Sequence, residues 1–265
     1  MASKVSKLLA PVAKLWRPLA RYISGRMQRY FTDGPAREIS YQLAYDNARN
    51  LRRGLERRAL EQSLDYLEAN MLEVPSFPSR VDILDFALRS IRIESGLVLE
   101  FGVATGATLN QIAKTIPHEV HGFDSFEGLP ESWGAEHVEG TFRQDALPSV
   151  PSNATLHQGL FEDTLPAFIA EAGQDTVRFL HVDCDLYSST VTVLREVGDL
   201  LKPGSIIVFD EYFNFPGWQQ HEYRAWQEYC DASGVSYRYL GYTERGRQVA
   251  VEITAKSGAE NTPGD

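Results

Sequence analysis

From residue 80 onward, short apolar runs alternate with stretches whose apolar residues recur at helical spacing. The apolar runs predict strands at 97–101, 120–123, 154–158, 177–183 and 205–210. The amphipathic stretches between them predict helices at 106–115, 164–172 and 189–201. Continuous apolar strands separated by helices are typical of a parallel sheet covered on both faces. The pattern therefore predicts an α/β fold.

The pattern changes after the fifth strand. A helical stretch at 217–232 is followed by two strand-like runs, 235–244 and 247–254, which are separated by a short turn containing Gly246. This arrangement predicts a hairpin that closes one edge of the sheet. Residues 255–265 have no apolar periodicity, and we expect a disordered tail there.

The chain before residue 80 has a different pattern. Residues 36–72 contain few glycines and no proline, with leucines and tyrosines spaced among charged residues. They predict a helical extension, which ends at the two prolines of residues 74–79. We therefore divide the chain into a basic amphipathic segment (1–32), a helical extension (33–79), a core domain (80–254) and the tail (255–265).

The 265 residues are 43% hydrophobic and 23% charged, and the net charge is −10. Residues 1–32 contain seven of the 26 basic side chains and no acid, so the rest of the chain carries 19 basic and 36 acidic side chains. Such an acidic body argues against nucleic acid as a partner. Two cysteines, Cys184 and Cys230, are too few for a disulfide framework, so we expect free thiols and a cytoplasmic protein.

Apolar residues also recur at helical spacing within residues 1–32, interrupted by Pro11 and Pro18. One interpretation is a helix that packs on the body or on a second subunit of a homo-oligomer. A second interpretation is peripheral contact with an anionic membrane, and a third is a targeting peptide. No apolar run approaches the roughly 18 residues of a transmembrane helix.

The first predicted strand ends in a turn of small residues, LEFGVATGATL, that leads into a helix. Glycines at 102 and 106 expose backbone N–H groups, so a ligand can approach closely. A dinucleotide-binding loop would place its glycines at Gly102, Ala104 and Ala107, which is a degraded match. An S-adenosylmethionine loop would use Glu100, Gly102 and Gly106. A tight turn without a ligand is the third alternative.

Asp124 follows the second predicted strand, in VHGFDSFEGLP. An acidic side chain at this position can accept hydrogen bonds from both hydroxyls of an adenosine ribose. Both cofactor classes contain adenosine. Asp124 therefore favours an adenosine ligand without choosing between the classes.

Acidic residues also end the fourth and fifth predicted strands. Asp183 ends FLHVD, and Asp210 with Glu211 ends SIIVFDE. Neighbouring strands lie about 5 Å apart, so we expect these carboxylates to meet at the edge of the sheet where ligands bind. Their mutual repulsion requires protonation or a cation. Oxygen ligands suit Mg²⁺ first, with Ca²⁺ or Mn²⁺ as substitutes.

Three neighbours of these acids have weaker functional signals. Asp185 is either a partner of the site or a cap of the following helix. Cys184 lies between two acids, which would raise its thiol pKa, so we do not expect a nucleophile. His181 lies inside the apolar strand, where a core residue is expected.

The motifs occur together in one order along the chain. They are LEFGVATG (99–106), GFDSFEGLPESW (122–133), QGLFEDTLP (158–166), HVDCDLYSST (181–190) and PGSIIVFDEY (203–212). In this combination the chain resembles a class I S-adenosylmethionine-dependent methyltransferase. It is similar to the macrocin O-methyltransferase family of natural-product tailoring enzymes.

The resemblance implies a Rossmann-like seven-stranded sheet with six parallel strands, one antiparallel strand and helices on both faces. It implies S-adenosyl-L-methionine as cofactor, and Mg²⁺ held by Asp183, Asp210 and Glu211 and bound to two neighbouring oxygens of the substrate. The cofactor residues it implies are Glu100, Gly102, Thr105, Gly106, Asp124, Ser125, Gly159, Leu160 and Phe161.

Within that set, Gly102, Thr105 and Gly106 would line the methionine part of the cofactor. Asp124 would hold the ribose, and residues 159–161 would border the adenine. The turn has Ala104 where relatives commonly have glycine, which adds one methyl group to the wall of the site.

One position departs from the metal-dependent relatives. Catechol-type enzymes carry a lysine base three residues after the first metal-binding aspartate, whereas this chain has Leu186. The candidate bases are therefore Asp183 itself, His137 and His221. For each histidine, a structural or merely exposed role is the alternative.

Residues 127–150 are long for a connection and contain two aromatic side chains, which favours a lid over the substrate. Residues 216–226 would form another wall. The leading hypothesis is a Mg²⁺-dependent O-methyltransferase acting on a small hydroxylated molecule, such as a natural-product sugar or a vicinal diol. The alternatives are methyl transfer without a metal, and a non-catalytic protein that binds an adenosine ligand.

Overall fold

The computed structural model describes residues 21–27, 34–134, 137–173 and 175–256. The chain forms two compact units, Met1–Arg57 and Arg58–Asp265. Most of the predicted basic segment (1–32) and of the predicted tail (255–265) lies outside the described residues. The domain boundaries drawn from the sequence stay a prediction.

The described residues of the first unit are mainly helical. Residues 21–27 are helical and α1 is Pro35–Arg49. Helix α2, Leu51–Asn70, begins in the first unit and continues into the second. Asn50 separates α1 from α2, and its side-chain oxygen accepts a hydrogen bond from the Arg53 N–H at 3.2 Å, which is an N-cap contact. The large exposed apolar side chains of these helices are Tyr22, Ile23, Met27, Ile39, Tyr41, Leu43, Tyr45, Leu51, Leu55, Leu60 and Leu64.

The second unit contains a mixed sheet and the helices that cover it. Its strands are β1 (Ser76–Phe77), β2 (Leu97–Phe101), β3 (Val120–Asp124), β4 (Ala154–Gln158), β5 (Val177–Val182), β6 (Leu201–Phe209), β7 (Val235–Thr243) and β8 (Val249–Lys256). Its further helices are α3 (Arg80–Ser90), α4 (Ala107–Thr115), α5 (Phe161–Ala172), α6 (Tyr187–Val197) and α7 (Glu222–Ser233).

The strand order among the described residues is β1-β7-β8-β6-β5-β2-β3-β4. Strand β8 is antiparallel to both of its neighbours, β6 and β7, and the other pairs are parallel. The prediction of a Rossmann-like, mostly parallel sheet with one antiparallel strand is therefore confirmed, but the sheet has eight strands among the described residues and not the predicted seven. The predicted closing hairpin is β7–β8.

The eighth strand, β1, comes from the proline-containing stretch that the sequence pattern predicts as a break. The Pro75 oxygen accepts a hydrogen bond from the Tyr242 N–H at 3.2 Å, and the Phe77 oxygen accepts one from the Glu244 N–H at 2.9 Å. A proline lacks an N–H group but can still accept at the edge of a sheet. The prolines therefore shorten this strand without preventing it.

Both faces of the sheet are buried. Along the central strands, Leu99, Leu180 and Ile207 belong to one apolar cluster, while the adjacent Val98 and Phe179 belong to the other. Because successive side chains of a strand point to opposite faces, this alternation places one cluster on each side of the sheet. Of the described helices, none has the length and apolar content to cross a membrane.

Candidate functional site

A cavity of about 590 Å³ opens at the carboxyl ends of the parallel strands. Residues that follow β2, β3, β4, β5 and β6 form its wall, together with residues 128–133 and the first residue of α3. This volume is typical of a small-molecule site, and ligands of open α/β sheets bind at this edge. The cavity is therefore the candidate functional site.

The turn after β2 lines one end of the cavity through Gly102 and Ala104. Gly102 has φ +90°, and a Cβ atom there would lie 1.7 Å from the backbone oxygen of Asp183. Glycine at position 102 therefore lets this turn contact the end of β5 directly. Ala104 adopts a positive φ of 44° in the same turn.

Asp124 fixes the shape of this turn. Its Oδ2 accepts hydrogen bonds from the backbone N–H groups of Val103 and Ala104, both at 2.8 Å. Its Oδ1 accepts one from the Phe126 N–H at 2.7 Å. A carboxylate has about four lone-pair sites, so Oδ1 can accept one further hydrogen bond.

The segment after β4 forms the adjoining wall. Gly159 has φ +145°, and its N–H donates to the backbone oxygen of Asp124 at 3.0 Å. Leu160 and Phe161 follow and line the cavity. The Phe161 ring packs edge-on against Phe101, with 5.2 Å between ring centroids. An apolar wall beside polar backbone groups suits a flat heteroaromatic ring.

The predicted cofactor residues divide into two sets. Those that line the cavity are Gly102, Asp124, Ser125, Gly159, Leu160 and Phe161. Thr105 is exposed on the same turn, and Gly106 is the N-cap of α4, facing Pro148. Glu100 is fully buried, and its carboxylate binds His181. The cofactor contacts themselves stay a prediction for all of these residues.

Four carboxylates lie at the other end of the cavity: Asp183 and Asp185 follow β5, and Asp210 and Glu211 follow β6. The Asp210 N–H donates to the Val182 oxygen at 2.9 Å, which holds the two strand ends side by side. Asp185 has φ +61°, a conformation that is rare outside glycine. Asp185 offers a ligand atom near those of Asp183 and Glu211, and the following helix has Leu186 as its N-cap without a side-chain cap hydrogen bond.

Burial and mutual repulsion change the protonation of these acids. Burial, together with the charge of Asp210, raises the pKa of Asp183 to about 7. Burial and the charge of Asp183 raise the pKa of Asp185 to about 7, and burial raises the pKa of Glu211 well above its ordinary value. Burial also opposes ionisation of Asp210, but His181 and Arg80 outweigh it and hold the pKa of Asp210 below its ordinary value.

Arg80 brings positive charge to the cluster. Its Nη2 lies 2.7 Å from Asp183 Oδ2 and 3.1 Å from Asp210 Oδ1. Ser79 caps helix α3, because its hydroxyl accepts a hydrogen bond from the Asp82 N–H at 3.3 Å. This cap makes Arg80 the first residue of the helix and directs its side chain to the acids.

Two groups of side chains offer ligand atoms that lie within 4.8 Å of one another: Asp183 with Asp185 and Glu211, and His181 with Asp183 and Asp210. The first group contains only oxygen ligands, and Glu211 Oε2 is buried without a hydrogen-bond partner. This donor set fits a hard cation such as Mg²⁺. The metal set predicted from the sequence, Asp183, Asp210 and Glu211, is divided between the two groups.

His181 lies between Glu100 and Asp210 and contacts both carboxylates. Its Nδ1 donates to Glu100 Oε1 at 2.8 Å, and its Nε2 lies 3.8 Å from Asp210 Oδ1. Burial opposes a charged ring, but the two acids outweigh it and raise the pKa of His181 to about 10. The residue expected in the core is indeed buried, and it contacts both acids.

The segment predicted as a lid lines the cavity with a hairpin-like loop. The Leu129 N–H donates to the Thr141 oxygen at 2.9 Å, and the Trp133 N–H donates to the His137 oxygen at 2.7 Å. The Trp133 and His137 rings stack, with centroids 5.2 Å apart and planes 20° apart. Trp133, His137 and Phe142 all line the cavity.

The two histidines considered as bases differ in position. His137 lines the cavity, whereas His221 packs against Phe215 with ring centroids 5.5 Å apart and is not part of the wall. Burial lowers the pKa of His221. Asp183, the third candidate, lies on the wall next to Gly102.

Arg247, from the turn between β7 and β8, is a cavity residue that the sequence pattern does not indicate. Its guanidinium lies 4.9 Å from the Phe215 ring and 5.7 Å from the Trp133 ring. Its Nη1 is 4.0 Å from Glu211 Oε1. Arg80 and Arg247 both reach the site from distant parts of the chain, so no local motif could identify them.

Residues 99–212 match the family model described as a methyltransferase domain. Among solved structures, the chain is similar to the calicheamicin methyltransferase CalS11, with 22% identity and a TM-score of 0.53 over 89% of this chain and 93% of that chain. It is also similar to the O-methyltransferase NovP, with 19% identity and a TM-score of 0.50 over 66% of this chain and 79% of that chain. Among curated proteins, no sequence matches.

Proposed function

Since the chain carries a class I S-adenosylmethionine-dependent methyltransferase domain, we propose that it methylates a hydroxyl oxygen of a small molecule in a Mg²⁺-dependent reaction. One observation carries this proposal. The turn with the geometry of a cofactor loop and the cluster of acids lie in one cavity, and Gly102 allows the turn to contact Asp183 directly. A methyl donor on the turn and an acceptor at the acids would therefore be adjacent.

The cofactor would lie along the turn after β2 and the wall after β4. Asp124 would accept a hydrogen bond from one ribose hydroxyl at Oδ1, because Oδ2 already accepts two backbone N–H groups. The apolar wall at Leu160 and Phe161 would border the adenine. The methionine end would then point from Gly102 toward Asp183.

The metal would be held by Asp183, Asp185 and Glu211, with Asp210 as the alternative partner. When bound, it would lower the pKa of a coordinated hydroxyl and hold neighbouring oxygens of the acceptor. The carboxylate of Asp183 would take the proton of the acceptor hydroxyl. Because Asp183 lies beside Gly102, this base would be next to a methyl donor bound on the turn.

The acceptor would lie under the aromatic lid. Trp133 and Phe142 form the apolar part of the wall, and Glu131 and Ser188 are polar lining residues nearby. A ring with neighbouring hydroxyls would place its C–H face on the indole and its oxygens at the acids. A sugar of a natural product, or another vicinal diol, satisfies both requirements. The similarity to a calicheamicin methyltransferase is in line with such an acceptor.

Titration of the metal-free protein with S-adenosylhomocysteine tests the cofactor site. We expect micromolar affinity in the parent protein, and a loss of about tenfold to a hundredfold in Asp124→Ala, because a charged acceptor of several hydrogen bonds is removed. Asp145→Ala removes an exposed acid from the lid segment and serves as the control. Equal affinity in Asp124→Ala and the parent would contradict the cofactor assignment.

Methyl transfer without a metal is the second candidate function. Arg80 favours it, since this guanidinium already neutralises Asp183 and Asp210. Turnover in the presence of EDTA separates the two candidates: loss of turnover, restored by Mg²⁺, supports the metal-dependent reaction. Full turnover in EDTA supports the metal-independent reaction.

A further inference from the structure

Arg80 occupies the position from which a cation would neutralise the acids. Its Nη2 lies within 3.1 Å of one oxygen of Asp183 and one of Asp210. Asp183 belongs to both groups of side chains that could hold a metal ion. A metal ion at either group would therefore approach the guanidinium closely, and like charges at such a distance repel strongly in a partly buried site.

The cluster also contains buried carboxylate oxygens that accept no hydrogen bond from Arg80. Glu211 is 8% exposed, lines the cavity, and its Oε2 is buried without a hydrogen-bond partner. Asp210 is 4% exposed, and its Oδ1 meets Arg80 without a hydrogen bond of good geometry. Buried acceptors of this kind are normally satisfied, so they indicate a ligand that binds alongside or in place of the guanidinium.

The side chain of Arg80 can leave without a change of backbone. It is 42% exposed, and the cap of α3 depends on Ser79 and Asp82, not on the guanidinium. A long side chain at the first position of a helix can rotate into solvent while the helix stays in place. Displacement of Arg80 therefore requires no unfolding of α3.

We propose that Arg80 is an internal cation that neutralises Asp183 and Asp210 in the metal-free protein and is displaced when a divalent cation binds. The two cations are then alternative partners of the same carboxylates. The inference rests on the proposed metal-dependent reaction. It concerns which cation balances the charges of Asp183 and Asp210 when no metal ion is bound. It makes Arg80 a residue that sets metal affinity and not a catalytic residue.

Calorimetric titration of the metal-free protein with Mg²⁺ tests the displacement. We expect Arg80→Gln to bind Mg²⁺ roughly tenfold more tightly than the parent, because two partly exposed ion pairs, each worth about threefold, no longer compete. The matched control is Arg247→Gln. Arg247 is 41% exposed and also lies near an acid, but its nearest approach is 4.0 Å from Glu211.

The control separates displacement from a general effect of charge. If Arg80 is displaced, the gain in Arg247→Gln stays below about threefold, the effect of one exposed pair. Equal gains in the two variants, an unchanged affinity in Arg80→Gln, or no Mg²⁺ binding in any of the proteins would each overturn the inference.

Thermal unfolding provides a second readout. Without Mg²⁺ we expect Arg80→Gln to melt at a lower temperature than the parent, because Asp183 and Asp210 lose their cation. With saturating Mg²⁺ the difference should disappear, since the metal replaces the guanidinium in both proteins. A melting temperature that stays low in Mg²⁺ would mean a purely structural role for Arg80 and would overturn the inference.

Binding of S-adenosylhomocysteine to the same proteins distinguishes the two levels of the argument. If the cofactor product binds to the parent and to Arg80→Gln while Mg²⁺ affinity is equal in both, only the role of Arg80 is wrong. If the cofactor product binds to neither protein, the proposed function itself fails.

Discussion

The two ends of the cavity are built from different parts of the chain. At the end after β2, the groups that face a ligand are mainly backbone atoms, and Asp124 is tied to three backbone N–H groups. At the end after β5 and β6, the groups are charged side chains, with four carboxylates facing two guanidinium groups. The first end is fixed by steric contact, and the second by a balance of charges.

This difference predicts how each end responds to change. A backbone wall tolerates almost no added atom, but it depends little on a bound metal ion. A charged cluster accepts substitutions of similar shape, but its ligand affinity changes with every charge that is added or removed. One end would therefore determine whether the cofactor binds, and the other whether and on which oxygen the reaction occurs.

The largest expected effect breaks the steric end. Gly102→Ala would place a Cβ atom 1.7 Å from the backbone oxygen of Asp183, and residue 102 has a φ of +90°. We expect a loss of about 3 kcal/mol or more in the free energy of unfolding, and no measurable binding of S-adenosylhomocysteine, because the turn must move away from β5. Chemical denaturation and calorimetry measure both quantities.

Gly140→Ala is the matched control for this change. Gly140 has a similar φ of +81°, but nothing lies within 4 Å of the position of its Cβ atom. We expect a loss of only about 1 kcal/mol, from backbone strain alone. Similar losses in both variants would mean that contact between the turn and β5 is not what fixes the first end.

The second prediction breaks the charged end while leaving its shape. Asp183→Asn keeps the side-chain volume but removes a charge and the predicted proton acceptor. We expect turnover to fall by about a hundredfold to ten-thousandfold, while affinity for S-adenosylhomocysteine changes less than about threefold. Steady-state kinetics and calorimetry on the same preparation measure the two effects. A parallel loss of cofactor affinity would show that the two ends are not separable.

The third prediction concerns the lid between the ends. Trp133→Leu removes the ring that stacks on His137 and packs near Arg247. We expect the KM for the acceptor to rise about tenfold, because an aromatic contact and its buried area are lost, with little change in cofactor affinity. Val138→Ala, an exposed change in the same loop, is the control. Weaker cofactor binding with an unchanged KM for the acceptor would mean that the lid contributes to the cofactor end of the cavity instead.

The smallest expected effect concerns stability at high pH and the ionisation of Tyr229, which lies outside the cavity. Burial raises the pKa of Tyr229 to about 12, and its hydroxyl donates to the Gly198 oxygen at 2.8 Å. Because the folded pKa lies above the unfolded value near 10, the unfolded chain loses its proton first. Stability is therefore fully present below about pH 10 and falls as the pH rises toward 12, by at most about 1.4 kcal/mol per pH unit for this group.

Tyr229→Phe checks this ionisation. The variant should lose stability less steeply between pH 10 and 12 than the parent in thermal unfolding, and its affinity for S-adenosylhomocysteine at pH 8 should be unchanged. An equal slope in the two proteins would assign the alkaline loss to other groups, such as Tyr212, whose pKa burial also raises.

Most of the sheet could be predicted because each strand is a continuous apolar run bounded by turn residues. Strands β2 and β4 begin and end at the predicted residues, 97–101 and 154–158. The short strand β1 could not be predicted, since it forms only by pairing with β7, more than 160 residues later. Local pattern contains no information about such a partner.

The residues of the site also fall into two classes, those that a local sequence pattern predicts and those that only the fold brings together. Gly102 and Asp124 were indicated by their positions directly after strands, which is a local signal. Arg80 and Arg247 reach the acids only through the packing of α3 and of the β7–β8 turn, so the sequence showed acids without their counter-charges. Asp185 lies beside Asp183 and Glu211 in a backbone conformation that the residue pattern did not indicate.

The stack of Trp133 on His137 gives the protein an optical signal of its own. The chain has four tryptophans, and of the three that the structure describes, Trp218 and Trp226 are buried while Trp133 lies in the lid. A ligand that moves the lid would change the surroundings of one indole and leave the two buried indoles as they are. In a variant with phenylalanine at the other three positions, fluorescence emission would follow acceptor binding in real time, without any added label.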